Sequence, residues 1–169
     1  KMTGQGLTLG GQRWKSVNLD GAGTPAAHDL KAELTGELGK FALALAGPAK
    51  VLAVEAARDA HQAAKSAAGR AQLPVHSLHR DLFRNPLQVD ELNRFDAALL
   101  DPPRAGAREQ VAHLADSKVG RVVYISCNPS SWARDGALLI ENGYRLAQLR
   151  PVGQFRWSTH VELASQFTR

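Results

Sequence analysis

The sequence predicts a doubly wound α/β fold: a mostly parallel sheet with helices on both faces and an antiparallel hairpin at its carboxyl end. Three observations predict it. From Leu30 onward, short apolar runs alternate with longer amphipathic runs of helical period, the pattern of strands joined by helical crossovers. Two of the apolar runs, "KVLAVEA" and "FDAALLDPP", are continuously hydrophobic, as strands covered on both faces are. The last two, "YRLAQLRPV" and "HVELASQF", have no helix between them and are expected to pair antiparallel.

The elements follow in order. Residues 1–28 are rich in Gly and Thr, with "NLDGAGTPAAHD" reading as loop; they are expected to form an irregular arm of short strands or the remnant of an upstream segment. Residues 29–169 are expected to form one domain. "GKFALALAGPA" reads as a short helix closed by Gly47 and Pro48, and "KVLAVEA" as a strand ending at Glu55. "ARDAHQAAKSAAGRA" is an alanine-rich helix, and "VHSLHRDLF" an alternating strand ending at Asp81. "FDAALLDPP" is a buried strand stopped by Pro102 and Pro103. A helix around "AREQVAHLADS" leads to the strand "RVVYISC". "SSWARDGALLIENG" is then an amphipathic helix, with serine as its N-cap and Gly143 just beyond its end.

Composition narrows the function classes. The chain has 169 residues, 44% hydrophobic and 22% charged, an ordinary globular mixture. No apolar run reaches the roughly 18 residues of a membrane span, and the N-terminus lacks a secretory core, so a cytoplasmic protein without a membrane partner is expected. A single cysteine excludes an internal disulfide and any all-cysteine metal or iron–sulfur site within this chain. The net charge of +5 favours an anionic partner such as nucleic acid, although basic and acidic residues are interspersed.

Ligands of open α/β sheets bind outside the carboxyl ends of the strands. The polar residues expected there are Glu55, Asp81, Asp101 and Cys127 with Asn128. Glu55 follows the glycine-containing turn "ELTGELGKF" (Glu33, Gly36, Gly39) at the spacing by which an acid meets ribose hydroxyls in nucleoside sites. Asp81 suits an adenine amino group, or is a solvated strand end. Asp101 leaves its strand on a turn stiffened by two prolines, and Arg104 beyond it suits phosphate or simply solvent. A lone cysteine is usually a small buried hydrophobe. Cys127 instead sits where its apolar run stops, between Ser126 and Asn128, just before a helix whose N-terminal end attracts negative charge. Cysteine is also the most nucleophilic common side chain near neutral pH.

"LLDPPRAGA", "VVYISCNPSSWARD" and "GQFRWSTHVELASQF" together resemble the catalytic domain of the SAM-dependent RNA uracil-C5 methyltransferases, from about Lys50 to the C-terminus and in that family's order. The resemblance implies a Rossmann-like class I methyltransferase fold and the cofactor S-adenosyl-L-methionine. It implies as substrate a uridine of structured RNA (rRNA or tRNA), unstacked into the pocket, and a monomeric enzyme. It also implies roles. Cys127 would add to uracil C6, Glu162 would remove the C5 proton, and Asp101 would hold the base and cofactor region. Glu33, Gly36, Gly39, Glu55, Asp81 and Asp101 would serve the cofactor; Arg104, Asn128 and Gln154 would contact the substrate; His160 carries no assigned role. No metal is implied. The chain departs from the pattern in the cofactor turn, where Glu37 stands at a position usually given to glycine, and in its short N-terminal segment. A non-catalytic RNA-binding relative therefore stands beside the enzyme as a second reading. A methyltransferase acting on an exocyclic amine fits less well, because that chemistry needs no covalent thiol.

Overall fold

The computed structural model describes residues 7–9, 12–14, 42, 45, 46, 49–153 and 161–169. It divides the chain into two compact units, Lys1–Asp81 and Leu82–Arg169.

In the first unit a hairpin pairs β1 (Leu7–Leu9) antiparallel with β2 (Gln12–Trp14), the short strands expected of the N-terminal arm. Of the helix expected at "GKFALALAGPA", Ala42, Leu45 and Ala46 are described and buried, and the Ala46 amide donates to the Ala42 carbonyl at 3.1 Å. Gly47 and Pro48, the expected stop, lie outside the described residues. β3 (Val51–Glu55) then runs through helix α1 (Arg58–Arg70) to β4 (Val75–His79), and the two strands pair in parallel from Val51–Val75 to Glu55–His79. α1 takes its length from alanine, the strongest helix former. β4 stops two residues short of the expected end at Asp81. The Arg80 amide donates to the Glu55 carbonyl as the last bond of the pair, and beyond it Asp81 leads into a turn.

The second unit opens with a single helical turn, α2 (Val89–Leu92), closed by a capping box between Gln88 and Glu91 that the hydrophobic pattern did not reveal. Next come β5 (Ala97–Leu100), α3 (Arg108–Asp116), β6 (Arg121–Ser126), α4 (Pro129–Glu141), β7 (Arg145–Gly153) and β8 (Val161–Thr168). Its sheet has the order β5-β6-β8-β7: β5 and β6 are parallel, and β8 lies antiparallel between β6 and β7. The final hairpin is thus antiparallel as expected, but its last strand inserts beside β6. β5 and β3 were expected to be fully buried, yet every residue of both is only half-buried. Among the described residues β5 has one strand neighbour, β6, and β3 likewise one, β4. β7, with β8 as its one described neighbour, carries a register irregularity after Leu146 and Pro151 in its run, features that blunt a sheet edge.

The core of the second unit lies between its sheet and the helices α3 and α4. Val111, Leu114, Val119, Val122, Tyr124, Leu139 and Phe167 are fully buried, each large apolar side chain contributing about 1.5–3 kcal/mol. Gly136 lets α4 approach the sheet closely, since a β-carbon there would lie 3.1 Å from the Phe167 ring. α4 begins earlier than the serine pair suggested. Asn128 is its N-cap, accepting from the Ser130 amide at 3.1 Å, with Pro129 in the first turn. Gly143, with φ +89°, follows the helix end as expected.

Candidate active site

Residues at the carboxyl ends of β5 and β6 and at the start of β8 meet in the second unit. β6 and β8 pair from Arg121–Thr168 to Ser126–Leu163, so Cys127 and Glu162 are the next residues out on the two strands. Registered Cα atoms on neighbouring antiparallel strands lie about 5 Å apart, which sets the scale of their separation. Cys127 is half-buried and a free thiol. Glu162 is also half-buried and pairs with Val152 of β7 on its other side.

Asp101 is the first residue after β5. Burial, and then the charge of Glu162, push its carboxyl from 3.8 up to about 6. That coupling is consistent with the two carboxyls sharing one environment. The strand order explains it, because β6 alone separates β5 from β8.

A ring of hydrogen bonds holds the loop after Asp101 against the start of α4. Asn128 Nδ2 donates to the Arg104 carbonyl at 2.8 Å while its Oδ1 caps α4. Ser126 Oγ donates to the Asn128 carbonyl and accepts from the Asn128 amide, each at 3.1 Å. The backbone on both sides of Cys127 is therefore pinned. Arg104 itself is exposed.

Sequence reasoning missed a second group beneath this loop. Asp135 is 1% exposed. Its Oδ2 accepts from Tyr124 Oη at 2.7 Å and from the Ala107 amide at 2.8 Å; its Oδ1 accepts from Arg134 Nε at 2.8 Å and pairs with Arg134 Nη2 at 2.7 Å. The same Nη2 donates to the Ala105 carbonyl at 2.9 Å. Burial, with the Asp135 carboxylate beside it, drives the Tyr124 hydroxyl far above its ordinary titration range. The signal was present in "SSWARDGALL". Ser131, Asp135 and Leu139 repeat at helical spacing on the buried stripe of α4, and an acid on such a stripe requires partners. Trp132 Nε1 donates to Ser165 Oγ at 2.8 Å, and that hydroxyl donates to the Tyr124 carbonyl at 2.9 Å, tying α4 to β8 and β6.

The remaining candidates lie in the first unit or outside the described residues. Glu55 ends β3, and its Oε1 accepts from the Ala57 amide at 2.7 Å. Its Oε2 is buried and has no hydrogen-bond partner among the described residues. A buried carboxylate oxygen left without a donor is costly, and ribose hydroxyls are donors of the required kind. Beside it, His79 Nε2 shares a 2.9 Å hydrogen bond with the Ala56 carbonyl, and the His79 ring lies 5.5 Å from that of His61. Asp81 is half-buried just past β4. Glu33, Gly36, Gly39, Gln154 and His160 lie outside the described residues. Among the described residues no group of three or more His, Cys, Asp or Glu is placed to hold a metal, and no helix is long and apolar enough to cross a membrane.

Comparison with known proteins gives this geometry a family. Residues 21–169 match the family model described as tRNA (uracil-5-)-methyltransferase. An uncharacterized RNA methyltransferase of Zymomonas mobilis is 53% identical over 138 residues, covering 82% of this chain and 35% of that protein. The 23S rRNA (uracil(1939)-C(5))-methyltransferase RlmD of Shewanella piezotolerans is 37% identical over 145 residues, covering 85% of this chain and 33% of its own. The crystal structure of the Pyrococcus abyssi tRNA (uracil-54, C5)-methyltransferase with S-adenosyl-L-homocysteine superposes with a TM-score of 0.67 at 28% identity, over 78% of this chain and 32% of that one. The chain thus spans about a third of the length of the curated relatives it matches. The fold is that of the class I methyltransferases, and the chain belongs to the tRNA (uracil-5-)-methyltransferase family.

Proposed function

We propose that this protein methylates C5 of a uridine in structured RNA, rRNA or tRNA, through a covalent adduct on Cys127. The observation that carries the reading is the register of β6 and β8, which makes Cys127 and Glu162 successive neighbours beyond the ladder's end. Asp101, electrostatically coupled to Glu162, completes the set. S-adenosyl-L-methionine, when bound, supplies the methyl group as an electrophile. Glu55, whose Oε2 has no partner among the described residues, suits the cofactor's ribose; Asp81 is assigned to the adenine, and the turn with Glu33, Gly36 and Gly39 to the rest of the cofactor.

The chain's own residues do the remaining chemistry. Cys127 Sγ, as thiolate, adds to C6 of the uracil, and the electron pair of the C5–C6 double bond moves into the enolate. C5 becomes nucleophilic and takes the methyl group. Glu162 then accepts the C5 proton, the double bond re-forms, and Sγ leaves as thiolate. Asp101 holds the base and cofactor region. Arg104, Asn128 and Gln154 contact the RNA, Asn128 also fixing the backbone on which Cys127 stands.

The test uses RNA containing 5-fluorouridine. Fluorine replaces the hydrogen that Glu162 must remove, so the reaction stops with the RNA bonded to Sγ. Wild-type protein with the cofactor is expected to give a denaturation-resistant adduct that Cys127→Ala abolishes. RNA binding without any adduct would favour a non-catalytic RNA-binding relative instead.

A further inference from the structure

We propose that Asp135 is a positioning residue: its buried carboxylate clamps the loop carrying Asp101 to the helix that follows Cys127. The inference rests on the methyltransferase reading for its consequence, but its geometry stands apart from it. Three segments bear the candidate chemistry: residues 101–107, residues 126–128 and the start of β8. Asp135 contacts the first through the Ala107 amide and, by way of Arg134, through the Ala105 carbonyl. It lies on α4, whose N-cap Asn128 adjoins Cys127. It is bonded to Tyr124, three residues before Cys127 on β6.

The loop is shaped to admit this carboxylate. Gly106 has φ +87°, and a β-carbon there would lie 2.5 Å from Asp135 Oδ2 and 2.6 Å from Arg134 Nη2. Backbone comes this near only because the residue has no side chain. The Ala107 amide also precedes α3, so the carboxylate sits at that helix's N-terminus, where a negative charge is favoured. The ion pair is asymmetric: the Asp135 side chain is fully buried, whereas Arg134 is 45% exposed. Arg134 can therefore be removed without opening the core.

Asp135→Asn and Arg134→Ala are the informative variants. An asparagine keeps one oxygen for Tyr124 and Ala107 but faces Arg134 with a donor, so the grip on Ala105 is lost. Arg134→Ala gives the same loss from the surface and decides the matter if Asp135→Asn does not fold. Two readouts are made on the full chain. The first is the titration of the Asp101 carboxyl by carbon NMR, which needs neither RNA nor cofactor. The second is steady-state methyl transfer to a uridine RNA at temperatures well below melting. Arg169→Ala, which loosens the opposite, C-terminal end of α3, serves as a destabilised control.

The expected result is that both variants lower the Asp101 midpoint from about 6 toward its ordinary value, and reduce kcat tenfold or more while KM changes less than twofold. The control is expected to leave both unchanged. An unmoved Asp101 titration, or a rate loss that merely tracks the unfolded fraction, would overturn the proposal. A wild-type protein inert toward every uridine RNA would sink the methyltransferase reading, while the titration still decides whether Asp135 positions the loop.

Discussion

At the scale of single residues, Asp101 shows how a site position can oppose stability. Its folded-state carboxyl titrates near 6 against 3.8 in an ordinary setting, because burial and Glu162 disfavour the anion. The folded protein therefore holds this proton more tightly than the unfolded chain. The stabilisation is fully present below about pH 4 and is lost as pH rises through about 6. A shift of this size corresponds to about 3 kcal/mol at most, and partial solvent exposure reduces it to on the order of 1–2 kcal/mol. Asp101→Asn is accordingly expected to raise the melting temperature at pH 8, to leave it nearly unchanged at pH 4, and to depress methyl transfer at both. Equal stabilisation at the two pH values would show that the charge is not the cause. Glu162→Gln makes a separate prediction. With the C5 proton left in place, ordinary uridine RNA should accumulate as the Cys127 adduct, seen by denaturing electrophoresis, where the wild type is expected to release product.

At the scale of elements, α3 and α4 organise the site from behind, and this is the part the sequence disclosed least. Hydrophobic period revealed where the helices run, and the strand ends pointed to Asp101 and Cys127, because polar residues that terminate apolar runs stand out, whereas Glu162 was named only through the family resemblance. The roles of Asp135, Arg134 and Tyr124 were hidden because the bonds of Asp135 to Tyr124 and Ala107 and of Arg134 to Ala105 span 11 to 29 positions and are set by tertiary contact. Asn128 was hidden as a cap by the more conspicuous serines after it. Gly106→Ala is expected to destabilise by about 2–4 kcal/mol, from positive φ and from collision with the Asp135–Arg134 pair. Chemical denaturation measures it, and a cost below about 1 kcal/mol would mean that the loop relaxes freely. At the other end of α3, Arg169 donates to the carbonyls of Leu114, Ala115, Ser117 and Val119 and lies 4.1 Å over the Tyr144 ring. Leu114 and Ala115 stand in the last turn of α3, where carbonyls lack internal helix donors, and Ser117 and Val119 lie just beyond it. Arg169→Ala should cost about 1–2 kcal/mol and lower the melting temperature without altering methyl transfer.

At the scale of the whole molecule, two kinds of binding are expected to be separable, because they rest on different physics. RNA affinity, on the proposed reading, would draw on an excess of five positive charges spread among interspersed acids. If about four phosphates are engaged, counterion release makes affinity fall on the order of 50- to 150-fold between 50 and 200 mM salt. Cofactor affinity, on the proposed reading, would draw on a few fixed donors and acceptors, Glu55 among them. Its Oε1 is held by the Ala57 amide while its Oε2 has no partner among the described residues. Glu55→Gln replaces that anionic acceptor with a neutral amide. A hydrogen bond to a charged group contributes about 1.5–3 kcal/mol, so calorimetry should show cofactor affinity falling roughly 10- to 100-fold. The same variant should leave RNA affinity and its salt slope as they are, since one charge at a strand end is a minor part of the total field. If Glu55→Gln weakened RNA and cofactor alike, or left cofactor binding untouched, the unpartnered oxygen would be a feature of folding and the ribose would have to be held elsewhere.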